Sequence, residues 1–127
     1  MKVDPKARYS EEHEWVRKEG ELFVYGISDH AQDQLSDIVY VELPEVGDSF
    51  EANDVLGVVE SVKAAADLYM PIAGEIVEVN ENLDNAPEIL NEDPFGEGWM
   101  VKFKASNPAD FEGLMSPEDY EKFAEEE

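Results

Sequence analysis

Between Val55 and Val79 the chain carries two β-prone runs joined by a short link of small residues, and the link holds one lysine. The first run, Val55 to Val59, has Val or Leu at most positions. The second, Asp67 to Ile72, contains Leu68, Tyr69 and Ile72 and stops near Pro71. Such a pair predicts a β-hairpin with Lys63 at or beside its tip. Lys63 is the only Lys or Arg between Lys18 and Lys102. A lysine in a turn needs no function by itself. Its neighbours argue for one. Ala64, Ala65 and Ala66 are not the Gly, Asn or Asp that a tight hairpin favours, and small side chains leave the amine open to a modifying protein.

The remaining segments predict short strands and turns around that hairpin. Glu14-Trp15-Val16, a turn at Lys18-Glu19-Gly20 and the run Leu22 to Ile27 predict an N-terminal hairpin. Ser28 or Asp29 suits the N-cap of a short helix through Leu35. Ile38 to Leu43 reads as a strand that Pro44 ends. Turns follow at Glu45 to Ser49 and at Asn53-Asp54. Close spacing of short strands predicts a barrel or sandwich. A faint repeat sets Val46-Gly47 with the run Val55 to Val59 beside Ala73-Gly74 with the run after it.

Asn80 to Pro94 is turn-rich, with a short helix expected around Pro87 to Leu90. Gly98 to Lys104 reads as a last strand with Trp99, Val101 and Phe103 on one face. Ser116-Pro117-Glu118-Asp119 opens a C-terminal helix with a cap, a first-turn proline and acids where the helix dipole favours them. Tyr120 and Phe123 are expected to face the body. Glu125-Glu126-Glu127 reads as a frayed tail.

A chain of 127 residues is long enough for one domain with a real core and short for two. The expectation is a single domain over 1–127, with a core at about 22–104 and a C-terminal helix at about 116–124. No apolar run approaches the ~20 residues of a membrane span. Met1 to Ser10 lacks the pattern of a secretory leader, so a cytoplasmic setting is expected. Nine Lys and Arg against 32 Asp and Glu give a net charge of −23. That charge argues against nucleic acid and anionic membranes as partners. It favours a monomer and steers encounters with basic surfaces, an effect screened over about 8 Å near physiological ionic strength. A saline habitat would produce the same excess.

No catalytic constellation stands out. There are no cysteines, so no disulfide, cysteine-based metal site or thiol nucleophile exists. His13 and His30 have no close-spaced histidine or cysteine partner, and no metal site is expected. His13, beside Trp15, reads as a packing or hydrogen-bonding residue, and Trp15 and Trp99 as core aromatics.

Several blocks, in order, resemble one family. They are Tyr9-Ser10 with His13-Glu14-Trp15-Val16, Gly26 to Gln32, and Asp37 to Pro44. Next come Glu60-Ser61-Val62-Lys63-Ala64, Asp67, Pro71, Gly74-Glu75 and Val77 to Asn80. Leu83-Asp84, Pro87-Glu88, Asn91, Asp93-Pro94 and Gly96 to Trp99 follow. The chain resembles the glycine cleavage system H-protein family over nearly its whole length. The resemblance implies a mainly β fold: a lipoyl-type barrel-sandwich hybrid of short antiparallel strands in two similar halves, with a few short helices including a C-terminal one. It implies lipoate as covalent cofactor, amide-linked to Lys63 as N6-lipoyllysine, with Glu60 and Gly74 guiding the attaching enzyme.

The implied function is a non-catalytic shuttle. The loaded arm takes an aminomethyl group from the pyridoxal-phosphate glycine decarboxylase (P protein) to the tetrahydrofolate-dependent aminomethyltransferase (T protein). The dithiol then passes to dihydrolipoyl dehydrogenase (L protein). A lipoate ligase or a lipoyl/octanoyl transferase completes the partners. The family also implies a cleft where acids hold the cationic amine, and the matching residues are Glu14 and Asp67. A carboxylate about 4 Å from a cation gains roughly 4 kcal/mol at an effective dielectric of about 20. Exposure shrinks that toward ~0–1 kcal/mol. Glu12 stands where the family often has a small hydroxylated residue, and adds a third acid to the cleft or points elsewhere. Ser36 stands where a glycine is common, and Ala66 and Ala73 where hydroxyls are common.

Four other readings compete. A biotin carrier typically has Met on both sides of its lysine, where this chain has Val62 and Ala64. A lipoyl domain of a 2-oxo acid dehydrogenase usually has Asp before its lysine. A lipoyl relay protein and an unmodified, H-like acidic interaction protein would share the whole pattern.

Overall fold

The computed structural model describes residues 1–126. Among these residues, nine strands form two antiparallel sheets. The strands are β1 (Ala7–Tyr9), β2 (Glu14–Glu19), β3 (Leu22–Ile27), β4 (Ile38–Glu42), β5 (Ser49–Phe50), β6 (Val55–Ser61), β7 (Ala65–Tyr69), β8 (Gly74–Val79) and β9 (Val101–Ala105). Helices α1 (Asp29–Leu35), α2 (Asn82–Asn85), α3 (Ile89–Glu92) and α4 (Pro117–Glu125), with a 3-10 helix at Pro108–Gly113, lie in the connections and at the C-terminal end. One sheet runs β1-β2-β3-β9-β8-β5 and the other β4-β6-β7.

Two halves are visible in that order. Exchanging β3 with β7, β4 with β8 and β6 with β9 turns the run β3-β9-β8 into β7-β6-β4. A matching irregularity marks the same exchange. The β4–β6 ladder slips between Ile38 and Tyr40, and the β8–β9 ladder slips between Ile76 and Glu78. An extra residue on one strand bends it and increases its twist, so Val39 and Val77 curve both halves alike. The repeat legible in the chain is therefore Ile38-Val39-Tyr40-Val41 with Ile76-Val77-Glu78-Val79. The expected echo of Gly47 with Gly74 is not the true one: Gly47 sits in a turn at φ 98°, whereas Gly74 begins β8.

Local chemistry explains most elements. Glu19 pairs with Leu22, leaving Gly20-Glu21 as a two-residue turn that Gly20 enters at φ 63°; hairpins of this length favour positive φ. In β9, Val101, Phe103 and Ala105 face the core while Lys102 and Lys104 face outward, the alternation of a half-buried strand. Ser28 caps α1 by accepting from the Ala31 N–H, and Ser116 caps α4 by accepting from Asp119. Between α1 and β4, Ser36 takes φ 69° and ψ −152°, a region almost reserved for glycine. Asn91 holds that link: its amide donates to the Ser36 carbonyl and its side-chain oxygen accepts from the Ile38 N–H.

The core extends beyond the expected 22–104. One apolar cluster joins both sheets, and includes Tyr25, Val59, Leu68, Ile76 and Phe103. A second joins Ala7, Tyr9, Trp15 and Val24 to Tyr120 and Ala124 of α4. Tyr9 stacks on Tyr120 with ring centroids 4.3 Å apart, so the C-terminal helix is clamped to the first strand.

Several boundaries differ from expectation. The first hairpin strand continues past Val59 to Ser61, and its partner runs Ala65 to Tyr69 rather than Asp67 to Ile72. Two short helices replace one around Pro87, which lies between them. The last strand begins at Val101, and Trp99 precedes it, half-buried. The C-terminal helix lies one residue later at each end than expected. Of the acidic tail, Glu125 is helical and Glu127 lies outside the described residues.

Candidate functional site

Lys63 is exposed in the loop between β6 and β7. Glu60 pairs with Ala65, and the Ser61 N–H donates to the Ala64 carbonyl at 2.7 Å, so Val62 and Lys63 form a two-residue turn. Among the described residues, positive φ at a non-glycine occurs only at His13, Ser36 and Asn53. The turn therefore avoids the left-handed conformations that would call for Gly or Asn. The Ser61 hydroxyl compensates by accepting from the Lys63 and Ala64 N–H groups, both at 3.1 Å. The Val62 N–H donates to the Asp37 carbonyl at 3.0 Å, which ties the tip to the start of β4. Val62 itself is 66% exposed. The result is a braced tip that offers an amine to solvent.

The second hairpin strand leads from Lys63 into a cavity of about 150 Å³. Its walls come from four places: Val59, Ala66, Asp67 and Leu68 of the hairpin, the stretch Glu12-His13-Glu14, Ile27 at the end of β3, and α1 with His30 and Leu35. The three acids expected in the cleft thus meet in one cavity. Glu12 and Glu14 also border a second cavity of about 220 Å³.

The acids are not alike. Asp67 is exposed, while Glu14 is 2% exposed. One Glu14 oxygen accepts from the Tyr25 hydroxyl at 3.0 Å and from the Tyr69 N–H at 2.7 Å. The other accepts from the Ser10 hydroxyl at 3.0 Å. The bond to Tyr69 links β2 of one sheet to β7 of the other. Burial pushes the Glu14 carboxyl up to about 7, with the Glu12 charge adding to the rise and the three donors opposing it. Tyr25, buried against that carboxylate, is raised well above its ordinary value for the same reason. The solvent discount expected for the pair applies to Asp67 and not to Glu14.

Glu60 is exposed on β6, three residues before the lysine, and pairs with Tyr40 of β4. Gly74 lies apart, in the other sheet between Phe50 and Ala105. A Cβ there would stand 2.6 Å from the Lys104 carbonyl oxygen and 2.8 Å from the Phe103 ring, so close strand packing already demands glycine.

Sequence reasoning missed how the histidines meet. His13 and His30, far apart in the chain, lie with ring centroids 4.6 Å apart beside the cavity. It also missed Tyr25, Tyr69 and Ser10 as partners of Glu14. Ser10, a hydroxyl four residues before Glu14, was the one local signal.

The glycine cleavage H-protein family model matches residues 7–127. The chain belongs to the glycine cleavage H-protein family. A glycine cleavage system H protein of Carboxydothermus hydrogenoformans is 56% identical over 128 residues, covering 100% of this chain and 98% of that protein. Another, of Alteromonas mediterranea, is 54% identical over 121 residues, covering 94% of each. The crystal structure of a glycine cleavage system H protein from Mycobacterium marinum superposes with a TM-score of 0.85 at 31% identity, covering 98% of both chains. The family's lipoyl-type barrel-sandwich is the fold described above, with two exchange-related halves and a C-terminal helix. Among the described residues, no helix is long and apolar enough to cross a membrane.

Proposed function

We propose that Lys63 carries a lipoyl group in amide linkage, and that the chain serves glycine cleavage as its mobile, non-catalytic carrier. One observation carries the reading: an exposed lysine tips a hairpin whose second strand enters a cavity walled by Glu12, Glu14 and Asp67. When bound, the lipoyl group supplies a dithiolane that cycles between disulfide and dithiol and accepts an aminomethyl group on sulfur.

The residues fit such a group. The braced turn presents the Lys63 amine to an attaching ligase or transferase, and amide formation removes its charge. Ile27, Val59 and Leu68 give the cavity an apolar wall suited to the hydrocarbon part of an arm. The three acids suit a cationic amine at its end. Burial raises the Glu14 carboxyl to about 7, and a cation placed beside it favours the charged form. Tethering keeps the arm at a high local concentration near each partner's active site. The partners are the glycine decarboxylase, the aminomethyltransferase and the dihydrolipoyl dehydrogenase, approached by an acidic monomer in the cytoplasm.

Glu60, exposed beside the lysine, fits a recognition role for the attaching enzyme. Gly74 fits one only through the backbone shape it permits. Reconstitution tests the reading. The lipoylated chain added to the three partner enzymes should restore glycine-dependent NADH formation, and Lys63→Arg should abolish it. Restoration by Lys63→Arg would overturn the proposal.

A further inference from the structure

The cavity wall formed by Glu12, His13 and Glu14 has an unusual backbone. His13 sits at φ 65°, a conformation that a non-glycine residue keeps only when its surroundings over-determine it. Ser10 supplies part of that support, since its hydroxyl accepts from the Glu12 and Glu14 N–H groups at 3.3 and 3.2 Å. The His13 carbonyl accepts from the Ser28 N–H at 3.0 Å. Further support comes from the C-terminal helix. The Tyr120 hydroxyl lies 2.9 Å from His13 Nδ1 and 2.7 Å from Ser28 Oγ. Ser28 is the N-cap of α1, the helix that brings His30 and Leu35 to the same cavity.

We propose that Tyr120 of the C-terminal helix is a positioning residue for the arm cavity. Its hydroxyl joins the Glu12-His13-Glu14 loop to the start of α1 and so keeps the cavity's acidic wall facing Asp67. Tyr120 lines no part of that cavity and is fully buried, so its effect is indirect. The inference rests on the carrier reading for its consequence on a loaded arm, but not for its effect on the cavity.

The test uses Tyr120→Phe in the full chain, with Tyr9→Phe as a matched control. Both changes remove one buried hydroxyl from the same stacked ring pair, but the Tyr9 hydroxyl meets the Asp4 backbone instead. The first readout is the carbon-13 titration of the Glu14 carboxyl in the unmodified chain. Titratable groups bordering the two cavities that Glu14 shares are Glu11, Glu12 and His13 beside it in the chain, His30 from α1, Asp67 and Tyr69 from β7 and Tyr9 from β1, with Tyr25 of β3 on its oxygen; of these only Tyr9 changes, and its hydroxyl is bonded to Asp4. Tyr120→Phe should admit water and move the Glu14 midpoint down by about one pH unit, while Tyr9→Phe leaves it in place. The second readout is the hydrolytic lifetime of the aminomethyl-loaded arm without partner enzymes, expected to fall several-fold in Tyr120→Phe alone.

A Glu14 midpoint unchanged in Tyr120→Phe, or moved equally by Tyr9→Phe, would overturn the proposal, because helix docking alone would then explain Tyr120. If Tyr120→Phe does not fold, Ser28→Ala removes the other partner of the Tyr120 hydroxyl and leaves every group that faces Glu14 in place; the same shift is expected and its absence is equally decisive. If the wild-type arm cannot be loaded at all, the carrier reading fails, and the Glu14 titration still decides the role of Tyr120.

Discussion

Glu14→Gln separates the charge of the buried carboxyl from its shape. The folded chain holds this group at about 7 against an ordinary 4.5. At about 1.4 kcal/mol per unit, the difference corresponds to about 3 kcal/mol of cost for keeping the charged form buried. At low pH the carboxyl is protonated in folded and unfolded chains alike and that cost is absent. As pH rises from about 4.5 towards about 7, the unfolded chain releases the proton while the folded chain keeps it. The folded chain then binds more protons, so this group lowers stability as pH rises. Glutamine is neutral throughout: its amide oxygen can keep the bonds from Tyr25 and Tyr69 while its amide nitrogen donates to the Ser10 hydroxyl instead of accepting from it. A reversed or weakened bond there costs about 1 kcal/mol and shifts the variant's curve without tilting it. Urea unfolding at fixed ionic strength should show the stability of Glu14→Gln gaining on the wild type by about 2–3 kcal/mol between pH 5 and pH 8. The other acids give both proteins the same slope. Parallel curves would refute the reasoning, since Glu14 would then titrate alike in folded and unfolded chains.

Ser36→Gly should raise stability by about 1 kcal/mol, because release of a strained backbone outweighs the added freedom of the unfolded chain; a lower thermal midpoint would count against that geometry. Gly74→Ala should cost about 1–3 kcal/mol in urea unfolding through contact with the Lys104 carbonyl. It should do so equally in modified and unmodified chains, and an unaltered midpoint would mean that packing is not what requires glycine. Ser61→Ala removes the hydroxyl that braces the turn. It should cost about 0.5–1.5 kcal/mol and slow acylation of Lys63, measured as the initial rate with an attaching enzyme; an unchanged rate would mean the brace does not matter.

The sequence made the lysine hairpin legible because its two runs bracket a link of small residues, but not its bounds. Ser61 belongs to β6 because Ile38 pairs with it from the far side, a contact invisible in a local window. Ala65 and Ala66 extend β7 because Glu60 and Val59 lie opposite, although alanine is a poor strand former. Strand β1 escaped notice altogether: three residues signal little, and Tyr9 is held there partly by a bridge to Met115. The positions of Glu12, Glu14 and Asp67 came from resemblance, whereas their different burial came only from the fold. The Glu14 environment draws on Ser10, Tyr25 and Tyr69, and the His13 environment on Ser28 and Tyr120. Apart from Ser10, four residues from Glu14, these partners lie far along the chain, and periodicity cannot register such contacts. Ser36 was noticed as a departure from glycine, and its backbone conformation supplies the reason glycine is common there.

The covalent claim at Lys63 is tested most directly by weighing the intact chain. It should be isolated from cells that break down glycine, and the site then located by fragmentation. The account expects a mass increase equal to one lipoyl group, carried on Lys63 and absent from Lys63→Arg. A chain of unmodified mass, a biotin-sized increase, or a lipoyl group on any other lysine would contradict it.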